Sequence, residues 1–185
     1  MSYQLIVIGA SSGGSKAIST ILNKLPREFP VPIAIVLHRA ENSDALSNVL
    51  QRNCALKVLE VIDKTEIQKG YVYLAPANYH LIIDKTYFSL SVDEPVHFAR
   101  PSIDILCESA ADSFGAHVIG VLLTGSSSDG AEGLFLIKQC GGYTIVEDPK
   151  TATSKIMPEA ALKLDAASQV LELEEIPQQL IMMCK

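Results

Sequence analysis

A run of four apolar residues, Leu5-Ile6-Val7-Ile8, passes directly into Gly9-Ala10-Ser11-Ser12-Gly13-Gly14, and a helix-period pattern begins at Ser15-Lys16-Ala17-Ile18. Apolar side chains that do not alternate need cover on both faces, which a parallel sheet between helix layers provides. The junction therefore predicts a buried strand, a sharp turn and a helix, the entry unit of an α/β fold. Gly9-Ala10-Ser11-Ser12-Gly13 is a G-x-S-x-G string on that turn, where a bend can hold a serine hydroxyl above the end of a sheet. The helix that follows aims its unpaired amides and the positive end of its dipole at the same place.

The rest of the chain repeats this unit with one interruption. A helix is predicted over 16–25, with Ala17, Ile18, Ile21, Leu22 and Leu25 on one face and Pro26 to end it. A second apolar run, Ile33-Ala34-Ile35-Val36-Leu37, has His38 directly at its end, and a second helix is predicted over 43–50. The middle changes character: 56–62 alternates, Tyr71-Val72-Tyr73-Leu74 is apolar, and two short runs flank Asp84-Lys85-Thr86 as a hairpin. This block reads as short antiparallel strands inserted between the parallel units. After a loop over 93–101, a helix is predicted over 102–114 and a strand over 118–123. The polar loop 124–130 leads to a helix over 131–139, and Gly141-Gly142 ends it. A strand over 143–146, a helix over 158–164, a strand over 170–173 and a helix over 176–183 complete the chain. The expectation is a single domain over residues 1–185: an α/β, doubly wound, mostly parallel sheet with helices on both faces and an inserted antiparallel hairpin.

Composition narrows the function. A net charge of −6 argues against nucleic acid or an anionic membrane as the main partner. The N-terminal apolar run is too short to span a bilayer and has no basic flank, so neither membrane insertion nor export is expected. Cys54, Cys107, Cys140 and Cys184 are scattered without ligand spacing. They read as reduced thiols of a cytoplasmic protein, and neither a metal nor another cofactor is expected.

Three polar residues stand out because each lies in or beside a loop just after an apolar strand. Ser11 follows the first strand, His38 the second, and Asp129 lies in the loop after 118–123. In open parallel sheets, ligands and chemistry collect at the carboxyl ends of strands, near a reversal of strand order. If the second strand and 118–123 flank the first, the three side chains converge. Together they can turn a weakly nucleophilic hydroxyl into an acylating group. Each also has a plainer reading. The glycines around Ser11 could cradle a phosphate, although the string is not G-x-G-x-x-G and no acidic residue closes the second strand. His38 could be a hydrogen-bonded strand-end histidine, and Asp129 a helix cap. The conjunction favours catalysis. His117 reads as structural, whereas His80 and His97 sit in loops and could line a cleft. Ser102 reads as a helix cap in a capping box, and Arg100 could hold a carboxylate-rich substrate.

Several spaced motifs together resemble one family. They are Ile8-Gly9-Ala10-Ser11-Ser12-Gly13-Gly14, His38, Tyr73-Leu74-Ala75-Pro76 followed by His80, Arg100-Pro101-Ser102-Ile103-Asp104, Leu123-Thr124-Gly125 through Asp129-Gly130-Ala131, and Met157-Pro158. In this order they are similar to the catalytic domain of the chemotaxis protein-glutamate methylesterases, CheB. The resemblance implies hydrolysis of γ-glutamyl methyl esters on the cytoplasmic helices of methyl-accepting chemoreceptors, and in many members deamidation of receptor glutamines. It assigns Ser11 as nucleophile, His38 as base and Asp129 as orienting acid, with backbone amides around Ser12 and Ser126 holding the oxyanion.

Three departures accompany it. The family's His-Met-Pro is His38-Arg39-Ala40 here, which adds a charge beside the base. Its Thr-Gly-Met-Gly-x-Asp is Thr124-Gly125-Ser126-Ser127-Ser128-Asp129 here; losing the glycine at 127 could re-aim an oxyanion donor. Members usually carry an N-terminal receiver domain, whereas Met1 here lies a few residues before the first strand. A stand-alone catalytic domain is therefore expected, unregulated, controlled by a separate response regulator or sensory partner, or cut from a longer chain. Two alternatives stay open beside the esterase: a scaffold of the same fold with a weakened oxyanion site, and a nucleotide-binding module.

Overall fold

The computed structural model describes residues 2–39, 46–52 and 54–185. Nine strands and six α-helices follow one another as β1 (Leu5–Ala10), α1 (Gly14–Leu22), β2 (Ile33–Leu37), α2 (Leu46–Gln51), β3 (Lys57–Glu60), β4 (Tyr71–Leu74), β5 (His80–Asp84), β6 (Tyr87–Ser91), α3 (Ile103–Phe114), β7 (Val118–Leu122), α4 (Ala131–Gln139), β8 (Tyr143–Glu147), α5 (Ile156–Lys163), β9 (Gln169–Leu171) and α6 (Ile176–Met183) among the described residues. The predicted start of the second helix, 43–45, lies outside them. The first helix stops at Leu22 rather than Leu25, leaving Pro26 in the turn beyond it.

Seven strands form one parallel sheet in the order β3-β4-β2-β1-β7-β8-β9, and β5 and β6 form a separate antiparallel hairpin. The order reverses at β1, so β2 and β7 flank it. Every residue of β1, β2 and β7 is buried. Alternate residues of each strand feed two separate cores. Ile6, Ile8, Ile33 and Ile35 pack with Ile18, Ile21, Leu50, Ile176 and Leu180, so α1, α2 and α6 cover one face. Leu5, Val7, Ala34 and Val36 pack with Ile103, Leu106, Leu134, Ile137, Met157 and Ala161, so α3, α4 and α5 cover the other. A fully buried leucine or isoleucine contributes about 1.5–3 kcal/mol, and this two-sided burial is what the non-alternating runs of the sequence encode.

One expectation is corrected. The strands at 57–60 and 71–74 are not antiparallel insertions: β3 pairs in parallel with β4, and β4 in parallel with β2. β3 is a short edge strand exposed at its two ends, while its middle residues serve both cores, Val58 on one face and Leu59 on the other. The β3–β4 connection contains no helix. Instead, chain at 65–67 lies along β6 after a left-handed turn at Lys64, with Lys64, Thr65 and Ile67 bonded to Phe88 and Thr86. The hairpin forms where it was expected, with Lys85 left-handed at its turn. It packs on α3, where the Ser109 and Ser113 hydroxyls take up the Ile83 amide and carbonyl.

Candidate active site

The tips of β1, β2 and β7 open at one edge of the sheet, and the pairing registers bring their loops together. Ala10 pairs with Leu37, and the His38 amide donates to the Ala10 carbonyl at 3.0 Å. Ser11 and His38 are thus the next residues on adjacent strands, whose spacing is about 4.8 Å. On the other side, the Ser11 amide donates to the Thr124 carbonyl at 2.9 Å, tying Ser11 to the loop after β7.

That loop is braced from several directions. The Thr124 amide donates to the buried Glu147 carboxylate at 2.8 Å, and its hydroxyl donates to the Ser12 carbonyl at 2.8 Å. The same hydroxyl accepts the Ser154 amide at 2.8 Å, while the Gly125 amide donates to the Ser154 carbonyl at 3.1 Å. Gly125 allows the loop to press on the serine. A Cβ there would lie 3.0 Å from the Ser11 Cβ and 2.5 Å from the Met157 Cε.

Asp129 is fully buried and accepts four hydrogen bonds. His38 Nε2 lies 2.7 Å from Oδ2, which also takes the Ile103 amide at 2.7 Å. Oδ1 takes the Ser102 hydroxyl at 2.8 Å and the Asp104 amide at 3.1 Å. Burial alone would raise its pKa, but His38, the two amides and Ser102 outweigh burial and hold the carboxyl below its ordinary value. An ionised carboxylate can only accept, so Nε2 of His38 carries the proton in this bond. In the neutral ring Nδ1 then keeps its lone pair, and an imidazole held in this way can take a proton from a hydroxyl.

The expected cap role for Asp129 is realised on a different helix. It caps α3, whose N-cap residue is Ser102. The third helical residue there is Ile105, which has no side chain to reach back. The reciprocal arm of a capping box is absent: the Ser102 amide that it would take goes to His80 Nδ1, and Asp129 takes the next two amides.

The structure separates the remaining histidines. His80 is fully buried, with Nε2 on the Glu94 carbonyl and Nδ1 accepting the Ser102 amide, so it braces the loop before α3 rather than lining a cleft. His117 bonds to the Ser2 carbonyl at the opposite end of the sheet. His97 does reach the cleft: with His38, Arg39, Phe98 and Arg100 it borders a cavity of about 410 Å³. Phe98 is completely exposed at its mouth, in a turn where both His97 and Phe98 have positive φ. A larger cavity of about 550 Å³ lies at the amino ends of the strands, around Tyr3 and Pro32, away from these tips. The guanidinium of Arg100 bonds to Asn78 Oδ1 and to the Val92 and Asp93 carbonyls, so it ties the 92–100 loop down.

Two sequence concerns meet specific geometry. Ser127 does not have a positive φ, so the loop runs through backbone space open to any residue there. Gly13 is left-handed, and a Cβ on it would come within 2.6 Å of the Thr153 side chain. The room that this glycine leaves is filled by Thr153, and packing accounts for it without a bound phosphate. The Ser12 amide stands just before α1, at the positive end of its dipole. The Ser126 hydroxyl bonds to Ser154 at 3.0 Å. Among the described residues, no cluster of three or more His, Cys, Asp or Glu is arranged to hold a metal ion, and no helix is long and apolar enough to cross a membrane.

Asp104 and Glu147 went unnoticed in the sequence as parts of this site. Asp104 shows in the sequence only as the last residue of the Arg100-Pro101-Ser102-Ile103-Asp104 motif, two residues after the cap of α3.

The family model described as CheB methylesterase matches residues 6–180. A Leptospira interrogans relative is 47% identical over 180 residues, covering 96% of this chain and 93% of its own. The Carboxydothermus hydrogenoformans protein named protein-glutamate methylesterase/protein-glutamine glutaminase 1 is 44% identical over 184 residues, 96% of this chain and 54% of that one. The crystal structure of the Thermotoga maritima CheB methylesterase catalytic domain superposes with a TM-score of 0.95 at 33% identity, over 99% of this chain and all of that domain.

Proposed function

The chain belongs to the CheB methylesterase family, and from that premise we propose that it is a serine hydrolase that removes methyl esters from glutamate side chains of chemoreceptor cytoplasmic helices. The observation that carries the reading is the 2.7 Å bond between His38 Nε2 and the buried Asp129 carboxylate, one strand away from Ser11. Ser11 Oγ attacks the ester carbonyl as His38 Nδ1 takes its proton. Asp129 stabilises the imidazolium that forms and keeps the ring in one orientation.

Negative charge then develops on the carbonyl oxygen. The Ser12 amide, backed by the dipole of α1, and the Ser126 amide are the donors offered to it. One such donor is worth about 3–4 kcal/mol in the transition state. The imidazolium returns the proton to the departing methoxide, which leaves as methanol, and Ser11 carries the glutamyl acyl group. Water activated by His38 then attacks the acyl carbonyl and releases the glutamate. The same steps applied to a glutamine side chain release ammonia.

The reading is tested by measuring methanol release from methylated receptor membranes. Wild-type chain is expected to release it, and Ser11→Ala to lose at least about 10⁴-fold while unfolding at the wild-type temperature. Retained activity in Ser11→Ala removes Ser11 from the mechanism. Stable wild-type protein that releases no methanol favours the scaffold reading.

A further inference from the structure

Two buried carboxylates stand behind His38. Asp129 is in the loop before α4, and Asp104, 2% exposed, is on the first turn of α3. Each caps the helix that carries or follows the other. Asp129 accepts the amides of Ile103 and Asp104, while Asp104 Oδ1 accepts the amides of Gly130 at 2.9 Å and Gly133 at 2.7 Å. Gly130 is the residue next to Asp129, so Asp104 grips the turn that presents the carboxylate to His38. Two helix N-termini meet here, and their dipoles favour the two negative groups placed against them.

The other oxygen of Asp104 is idle in this exchange. Oδ2 is buried and has no hydrogen-bond partner among the described residues, with His97 Nε2 at 3.5 Å. The groups that surround Asp104 come from each neighbouring element: Asp129 from the loop before α4, His97 from the loop before α3, and Cys107 from α3 itself. Glu108 on α3 and Glu132 on the first turn of α4 add further acidic charge on these two helices. Burial pushes the Asp104 carboxyl up to about 7; the Gly133 amide and His97 pull against this, and Asp129 adds to it.

We propose that Asp104 is a positioning residue that acts through Asp129 on His38: Oδ1 fixes the Asp129–Gly130 turn, and Oδ2 places a second, titratable charge behind the carboxylate that holds the imidazole. This rests on the reading of Ser11, His38 and Asp129 as a hydrolytic relay. With Asp104 protonated, His38 faces one negative charge. With Asp104 ionised it faces two, and the imidazolium is favoured further. His97 Nε2, 3.5 Å from Oδ2 at the mouth of the cleft, is the group placed to offset the second charge when its ring is protonated.

The test compares wild type, Asp104→Asn and Asp104→Ala. NMR follows the titration of the His38 imidazole, and hydrolysis of a small activated ester gives kcat and KM across pH. Asn keeps an acceptor for Gly130 and Gly133 and removes the charge. In that variant the His38 signals are expected to lose the inflection near pH 7 that ionisation of Asp104 imposes on them in wild type, and kcat/KM is expected to lose the matching step. In Asp104→Ala the grip is gone as well, and kcat is expected to fall at least about tenfold below that of the Asn variant, with KM little changed. A His38 pH profile that Asp104→Asn leaves unchanged near pH 7 overturns the proposal, even if Asp104→Ala is inactive or unfolded, because Asp104 is then only a helix cap. If wild type hydrolyses no ester, the relay reading fails by itself, and the NMR titration still decides whether Asp104 acts on His38.

Discussion

The 2.7 Å bond from His38 Nε2 to Asp129 Oδ2 spans two strand tips that lie on opposite sides of β1. It joins residues 91 positions apart in the chain. Because Asp129 also takes the Ile103 and Asp104 amides, one carboxylate serves both the histidine and the start of α3.

Asp129→Asn should therefore fail in two ways. Its amide has a single oxygen and cannot accept at both positions that the carboxylate fills, and kcat is expected to drop by about 10⁴-fold. The charged cap of α3 is lost too, at about 1 kcal/mol of stability near neutral pH. Asp129 has a lowered pKa when folded. Its stabilisation is therefore present above the unfolded value of about 4 and is lost as pH falls through the lower folded value. Urea unfolding of wild type and Asp129→Asn should show a gap at pH 7 that closes as pH falls through that folded value.

Asp104 predicts the opposite sign. Its folded pKa is raised to about 7, so between about 4 and 7 the folded state binds a proton that the unfolded state has released. Stability linked to this group falls as pH rises through that window. Asp104→Asn lacks the titration, so it should gain on wild type between pH 5 and pH 8 in the same urea measurement. A gap independent of pH would show that Asp104 does not titrate there.

Gly125→Ala tests the close approach of the loop after β7. The added Cβ meets the flexible end of Met157 and the Ser11 Cβ. Met157 can move, whereas Ser11 is fixed by its amide bond to the Thr124 carbonyl. Activity on a small ester should fall by at least about tenfold, with a loss of only about 1–2 kcal/mol in stability. Equal losses in both would point to general unfolding of the loop instead.

The sequence made the doubly wound frame legible because β1, β2 and β7 are apolar on both faces. The ranges of β2, α4 and α6 were legible to the residue. The parallel pairing of β3 and β4 was not. A four-residue edge strand with exposed ends gives too short an apolar run to tell parallel from antiparallel pairing, and a crossover without a helix lacks the helical period that usually announces one. The Asp104–Asp129 exchange was hidden for a different reason. An Asp near a helix start reads as a cap for its own helix, and nothing local shows that the two aspartates have traded helices. His80 likewise looked like a loop residue, but its ring is enclosed because both nitrogens hold backbone groups.

The most direct measurement treats the protein with a serine-directed fluorophosphonate and locates the adduct by mass spectrometry, in wild type and in His38→Ala. A hydroxyl activated by the neighbouring imidazole should give one adduct per chain, on Ser11, and His38→Ala should slow its formation by at least about 10³-fold. An unlabelled Ser11 in folded wild-type protein, or an equal labelling rate without His38, would contradict a relay running from Asp129 through His38 to Ser11.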